Sequence, residues 1–205
     1  MEDLTADLPD GDLTALVGSR LCHDLINPLG AIGNGVELLA MSGQSASPEM
    51  ALIEEAVRDA QARIRFFRVA FGAAGAESRV SRRELLALLD GLYGNGGRLR
   101  VAWDPAGDLP RREAKLALLM LACAEHALPL GGEVEISEGE GGVTLGATAA
   151  RVKADPDLWG LFEGRPPLRR VAPAEVQFPL LVQEAASAGR DVVIEISDGQ
   201  IGMHV

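Results

Sequence analysis

His23 and Asp24 stand side by side in the stretch "LCHDLINPLG", residues 21–30, with Asn27 and Pro28 just beyond them. A neutral imidazole is a competent nitrogen nucleophile near neutral pH. An adjacent carboxylate can orient the ring or take up a proton as the nitrogen attacks. On a helix, Arg20 at i−3 and Asn27 at i+4 share the histidine's face. No Ser or Cys nucleophile with a matching base accompanies them in the local sequence, so attack by imidazole nitrogen is the chemistry this stretch offers. Pro28 has no N–H to give to the carbonyl of Asp24, so the helix should bend just after the histidine. The bland alternative is an ordinary surface histidine followed by a tolerated kink.

The elements that must position these residues read clearly. Asp10-Gly11-Asp12 offers helix-starting caps, and the helical pattern runs to about Met41, where Ser42-Gly43 ends it. Leu21, Leu25, Leu29, Ile32, Val36 and Leu39 recur at spacings of four and three and form an apolar seam. At about 100° per residue, His23 lies some 200° from Leu21 and from Leu25, facing away from that seam. Ser47-Pro48-Glu49 opens a second helix, in which Ile53, Val57, Ala60, Ile64, Phe67 and Phe71 repeat in the same way. Two amphipathic helices on a short loop predict an antiparallel hairpin. Such a hairpin cannot enclose a core alone, so a second copy, completing a four-helix bundle about a two-fold axis, is the expected solution.

Residues 72–80 turn Gly- and Ala-rich and read as a linker, dividing the chain into 1–75 and 76–205. Beyond it, Ser81-Arg82-Arg83-Glu84 is a capping-box pattern for a helix to about Leu92, and residues 98–103 alternate as a strand. A long, mostly apolar helix spans residues 110–128. Strands follow at "GEVEISE" and "VTLGATA", then a short helix near 155–162, a Pro- and Arg-rich loop at 163–173, a last helix at 174–188 and a closing hairpin about Asp198-Gly199. The expected class is α+β, a helical hairpin followed by a sandwich with helices on one face of a sheet.

Composition excludes several functions. A net charge of −11 argues against nucleic acid and against an anionic membrane surface. No apolar run approaches the roughly 18 residues of a spanning helix, and the acidic start Met1-Glu2-Asp3 is unlike a signal peptide. Two distant cysteines indicate no disulfide framework, so the expectation is a soluble, cytoplasmic protein. Cys123 and His126, with Cys22 beside His23, offer soft ligands, but a buried Cys near a partly exposed His explains them better than a metal does. Trp103 and Trp159 read as core or interface anchors. Glycine pairs at 96–97, 131–132 and 141–142 read as turns.

"HDLINPLGAI" on the first helix of such a hairpin resembles the H-box of two-component histidine kinases, with His23, Asp24, Asn27, Pro28 and Leu29 each at a matching position. The second half has the layout of the kinase ATP-binding domain without its boxes. Leu119 and Cys123 stand where its magnesium- and phosphate-holding asparagines would align, and "GGVTLGATAARV" lacks a D-x-G-x-G. An intact histidine box beside a stripped ATP domain resembles the ChpT-type histidine phosphotransferases. The resemblance implies a dimeric four-helix bundle, a degenerate ATPase-like α/β sandwich, and no bound cofactor or metal. It further implies phosphoryl transfer on His23 between receiver domains, from a hybrid-kinase donor to response-regulator acceptors, with magnesium carried by the receiver. Asp24 and Asn27 are then expected beside His23 in catalysis, and Arg20 with them in partner binding. Arg165, Arg169 and Arg170 are secondary docking candidates. The competing classes are an ATP-dependent kinase with divergent boxes and a non-catalytic, receiver-masking antagonist.

Overall fold

The computed structural model describes residues 10–39, 41, 48–73, 78–94, 96–139 and 141–205. The chain divides into two compact units, Met1–Gly75 and Ala76–Val205. No described helix is long and apolar enough to cross a membrane.

The first unit is a helical hairpin of α1 (Asp10–Leu39) packed on α2 (Pro48–Ala70). Helix α1 runs through Pro28 without interruption. Pro48 occupies the first position of α2, where a missing N–H costs nothing, and Glu49 and Arg68 sit at the ends their charges favour. Ala62, Ile64, Phe66, Val69 and Ala70 are buried in the C-terminal half of α2, whereas Ile53 and Phe67 of the expected repeat stay substantially exposed.

The second unit is a helix layer on one mixed sheet. Its elements are β1 (Arg79–Val80), α3 (Arg82–Tyr93), β2 (Leu99–Trp103), β3 (Leu109–Pro110), α4 (Arg111–Ala127), β4 (Gly132–Gly139) and β5 (Gly142–Thr148), followed by α5 (Pro156–Trp159), α6 (Gln177–Ser187), β6 (Val193–Ser197) and β7 (Gln200–His204). Ser81 caps α3 by accepting the Glu84 N–H at 3.1 Å, as its capping-box pattern requires. The sheet order is β2-β4-β5-β7-β6; β2 and β4 run parallel around α4, and every other pairing is antiparallel. β1 and β3 form a separate two-stranded ladder that the sequence pattern did not reveal.

Alternation sets the two faces of the sheet. Val134, Ile136, Val143, Leu145, Ala147, Ile201 and Met203 are buried towards the helices. Glu133, Glu135, Gly146, Thr148, Glu195 and Gly202 line an open trough of about 620 Å³ on the other face. Helix α4 lies at the centre of the helix layer: Leu116, Leu118, Leu119, Met120 and Leu121 are fully buried, which suits the nearly all-round apolar sequence. The turn from α4 into β4 depends on Gly131, with φ +84°; a Cβ there would meet the Arg98 carbonyl oxygen at 1.8 Å.

Candidate functional site

Three faces can be distinguished on α1. Cys22, Ile26, Leu29, Gly33 and Val36 are buried or half-buried at alternating spacings of four and three. Leu29 and Gly33 lie against Gln61 and Val57 of α2, so this is the face that packs within the hairpin. Leu21, Leu25, Ile32 and Leu39 are exposed. The single seam expected from the sequence therefore separates into two strips. Leu29 and Val36 belong to the inner one, and the other four leucine and isoleucine positions form an outer one. The reason is angular: positions 21, 25, 32 and 39 lie roughly 85° around the helix from the inner strip. The third face carries His23 and Asn27, roughly 175° and 135° from the outer strip respectively.

His23 is 71% exposed, and its Nδ1 lies 3.2 Å from Oδ1 of Asp24, itself 48% exposed. A carboxylate only accepts, so in the neutral ring this contact places the proton on Nδ1 and leaves the lone pair on Nε2. At that exposure and length the pair contributes about 0–1 kcal/mol to stability; its consequence is orientation. Asn27 and Pro28 are exposed one turn further on. Arg20 lies on α1, and its side chain falls outside the described residues. Cys22, adjacent to the histidine, faces the hairpin interior. Burial pushes its thiol pKa up and Arg68 partly offsets this, which makes it a poor nucleophile.

One polar contact here escaped the sequence reading. Gln61 Nε2 donates to the backbone carbonyl of Leu29 at 3.2 Å, across the hairpin and one residue after Pro28. Gly33 makes room for it, since a Cβ at that position would stand 3.0 Å from the same nitrogen. A glycine inside a long helix was the available signal, because such a residue weakens the helix unless something must approach closely.

In the second unit, Leu119 and Cys123 are completely buried, and burial raises the Cys123 thiol pKa well above its usual value. His126, exposed at the end of α4, meets the ring of Phe178 on α6 edge-on, with centroids 5.6 Å apart. Phe178 also contacts Trp159 and Phe162, joining α4, α6 and the α5 turn through aromatic rings. Trp103 and Trp159 are both buried, as anchors should be. Of the loop arginines, Arg169 forms a two-pronged pair with Glu175 at 2.7 and 2.8 Å and a further bond to Asp155 at 2.8 Å. Arg165 pairs with Glu163. Both therefore pair with acids of their own loop region, whereas Arg170 is exposed.

Residues 82–200 match the model of the histidine phosphotransferase C-terminal domain family. The chain belongs to that family. It is 33% identical over 183 residues to the protein phosphotransferase ChpT of Brucella abortus (strain 2308), covering 85% of this chain and 87% of that one. A solved bacterial phosphotransferase structure superposes with a TM-score of 0.67 at 31% identity, covering 96% of both chains. The match to ChpT reaches well beyond the C-terminal family segment, so the hairpin belongs to the likeness as well.

Proposed function

We propose that this protein carries a phosphoryl group on His23 between receiver domains of a two-component phosphorelay and uses no ATP. The observation that carries this reading is the exposed imidazole whose Nδ1 is engaged by Asp24, leaving Nε2 free to attack. In the forward step, the Nε2 lone pair attacks phosphorus of a receiver's aspartyl phosphate. The N–P bond forms as the P–O bond breaks, and the receiver carboxylate leaves with the electron pair. The Nδ1 proton stays in place beside Asp24, so the imidazolium charge that develops is stabilised where it arises. The reverse step loads a second receiver. Such transfers pass through a loose in-line transition state, so positioning and charge neutralisation dominate. The magnesium that neutralises the phosphoryl oxygens belongs to the receiver. Arg20 binds receiver carboxylates or phosphoryl oxygens, and Asn27 orients the transferring group or a water.

Residues 1–75 serve dimerisation and transfer, and the outer strip of Leu21, Leu25, Ile32 and Leu39 is the face that a second hairpin covers. Because His23 points the opposite way, closing the four-helix bundle leaves it open to a receiver. Residues 76–205 are a degenerate ATPase-like domain that serves docking. Buried Leu119 and Cys123 present no ligand for magnesium or phosphate. Each lost charge-assisted contact costs a nucleotide site roughly 1.5–3 kcal/mol, so losing several removes useful affinity.

The test is incubation with a phosphorylated receiver domain. Acid-labile label on His23 is expected, with no heat of binding when ATP is titrated at cellular concentrations. Label elsewhere, or saturable ATP binding, rejects the proposal.

A further inference from the structure

Pro28 removes one rung of the α1 ladder at the turn that carries His23 and Asn27. Apolar packing alone does not fill this turn. A small cleft of about 80 Å³, lined by Ile26, Leu29, Gly30, Gln61, Ile64 and Arg65, lies beside it. A Cβ on Gly30 would find no atom within 4 Å. Where rung and packing are both thin, a directed contact bridges α1 and α2: the Gln61 amide on the Leu29 carbonyl, with Gly33 cleared to admit it.

Resting on the phosphotransfer reading above, we infer that Gln61 is a positioning residue for His23. It fixes the proline turn of α1 against α2 and thereby sets where the imidazole meets the incoming phosphoryl group. Gln61 touches no reacting atom and acts through the backbone. An in-line transfer is sensitive to such placement, since a displacement of about 1 Å can cost on the order of 100-fold in rate.

The experiment compares two donors on the full-length protein. Phosphoramidate, a small donor, reads the reactivity of the imidazole; a phosphorylated receiver domain reads its placement. Two variants break the same contact by different routes. Gln61→Leu removes the donor at similar size, and Gly33→Ala pushes the amide away while supplying the better helix former. The ratio of receiver kcat to phosphoramidate rate should fall about tenfold or more in both, with receiver KM changed less than about threefold. The double variant should be no worse than the singles, and Gly33→Ala should keep or raise the melting temperature. An unchanged ratio in both variants overturns the inference, as does a loss that follows KM or melting temperature. Wild-type protein that takes no label from the receiver instead rejects the relay reading on which the inference rests.

Discussion

Lys115 on α4 and Glu184 on α6 form an ion pair across the helix layer, with only 2% of the lysine side chain exposed. An ammonium at such depth is tolerable only while its carboxylate stays in place. Lys115→Ala should therefore cost about 3 kcal/mol in urea unfolding, the lower end for a broken buried pair, because Glu184 retains some access to water. Replacing both, as Lys115→Met with Glu184→Leu, should recover most of that loss, since apolar residues of similar volume pack without desolvating a charge. A double variant as unstable as Lys115→Ala would show that packing, rather than charge, sets the cost.

The Arg169 clamp gives the 163–175 loop an acid limit. Its hydrogen bonds to Glu175, joined by the Ala172 N–H, hold the glutamate pKa at about 2 against an ordinary 4.5. Asp155 is lowered in the same direction, first by its bond from Arg169. A depressed acid contributes stability that is complete above its unfolded pKa and lost as pH falls through the folded one. The loop should thus stay anchored at pH 5 and release between about 4.5 and 2. Emission from Trp159, with Trp103 replaced by Phe, reports this. Arg169→Ala should remove that transition.

At the proposed transfer site, His23→Ala should abolish label from a phosphorylated receiver and leave the fold intact, because an exposed side chain adds little packing. Asp24→Asn should slow transfer in both directions by about 10²–10⁴-fold, since it can no longer hold the charged imidazole. Circular dichroism unchanged beside these losses confines the effect to chemistry. Persistent label in His23→Ala, mapped to His126 or His204, would place the site elsewhere.

The outer strip predicts a dimer. Light scattering should give twice the 21.6 kDa chain mass at micromolar concentration. Ile32→Asp places a carboxylate within that strip, opposite His23, and should shift the mass towards one chain. If the variant stays dimeric, the interface lies on another surface.

The sequence was most legible where one physical rule acts alone. The helical repeats, the Ser81 cap and the Asp198-Gly199 hairpin all rest on local chemistry, and each element lies within a few residues of where that chemistry puts it. His23 was legible for the same reason, because its exposure follows from angular position on one helix. The single seam was not, because assigning Leu25 to one strip and Leu29 to another requires knowing where α2 lies. The β1–β3 ladder and the Gln61 contact were invisible for a related reason: both join segments about thirty residues apart, and two-residue strands or one amide leave no periodicity to read. The role of Arg169 was hidden likewise, since loop composition does not reveal which acids a basic side chain will find.

Strand β7 is threaded between β5 and β6, so the strand of this sheet that emerges after all the others is interior to it. Val205 extends that pairing, exchanging two backbone hydrogen bonds with Val143 at 3.1 Å. While residues 200–205 are still inside the ribosome, β5 and β6 have an open slot between them, and the helix layer has an incomplete floor to rest on. Helices α1 and α2, which pack on each other, have both emerged much earlier. On the nascent chain, the segment bearing His23 can therefore take shape well before the domain that follows it can close.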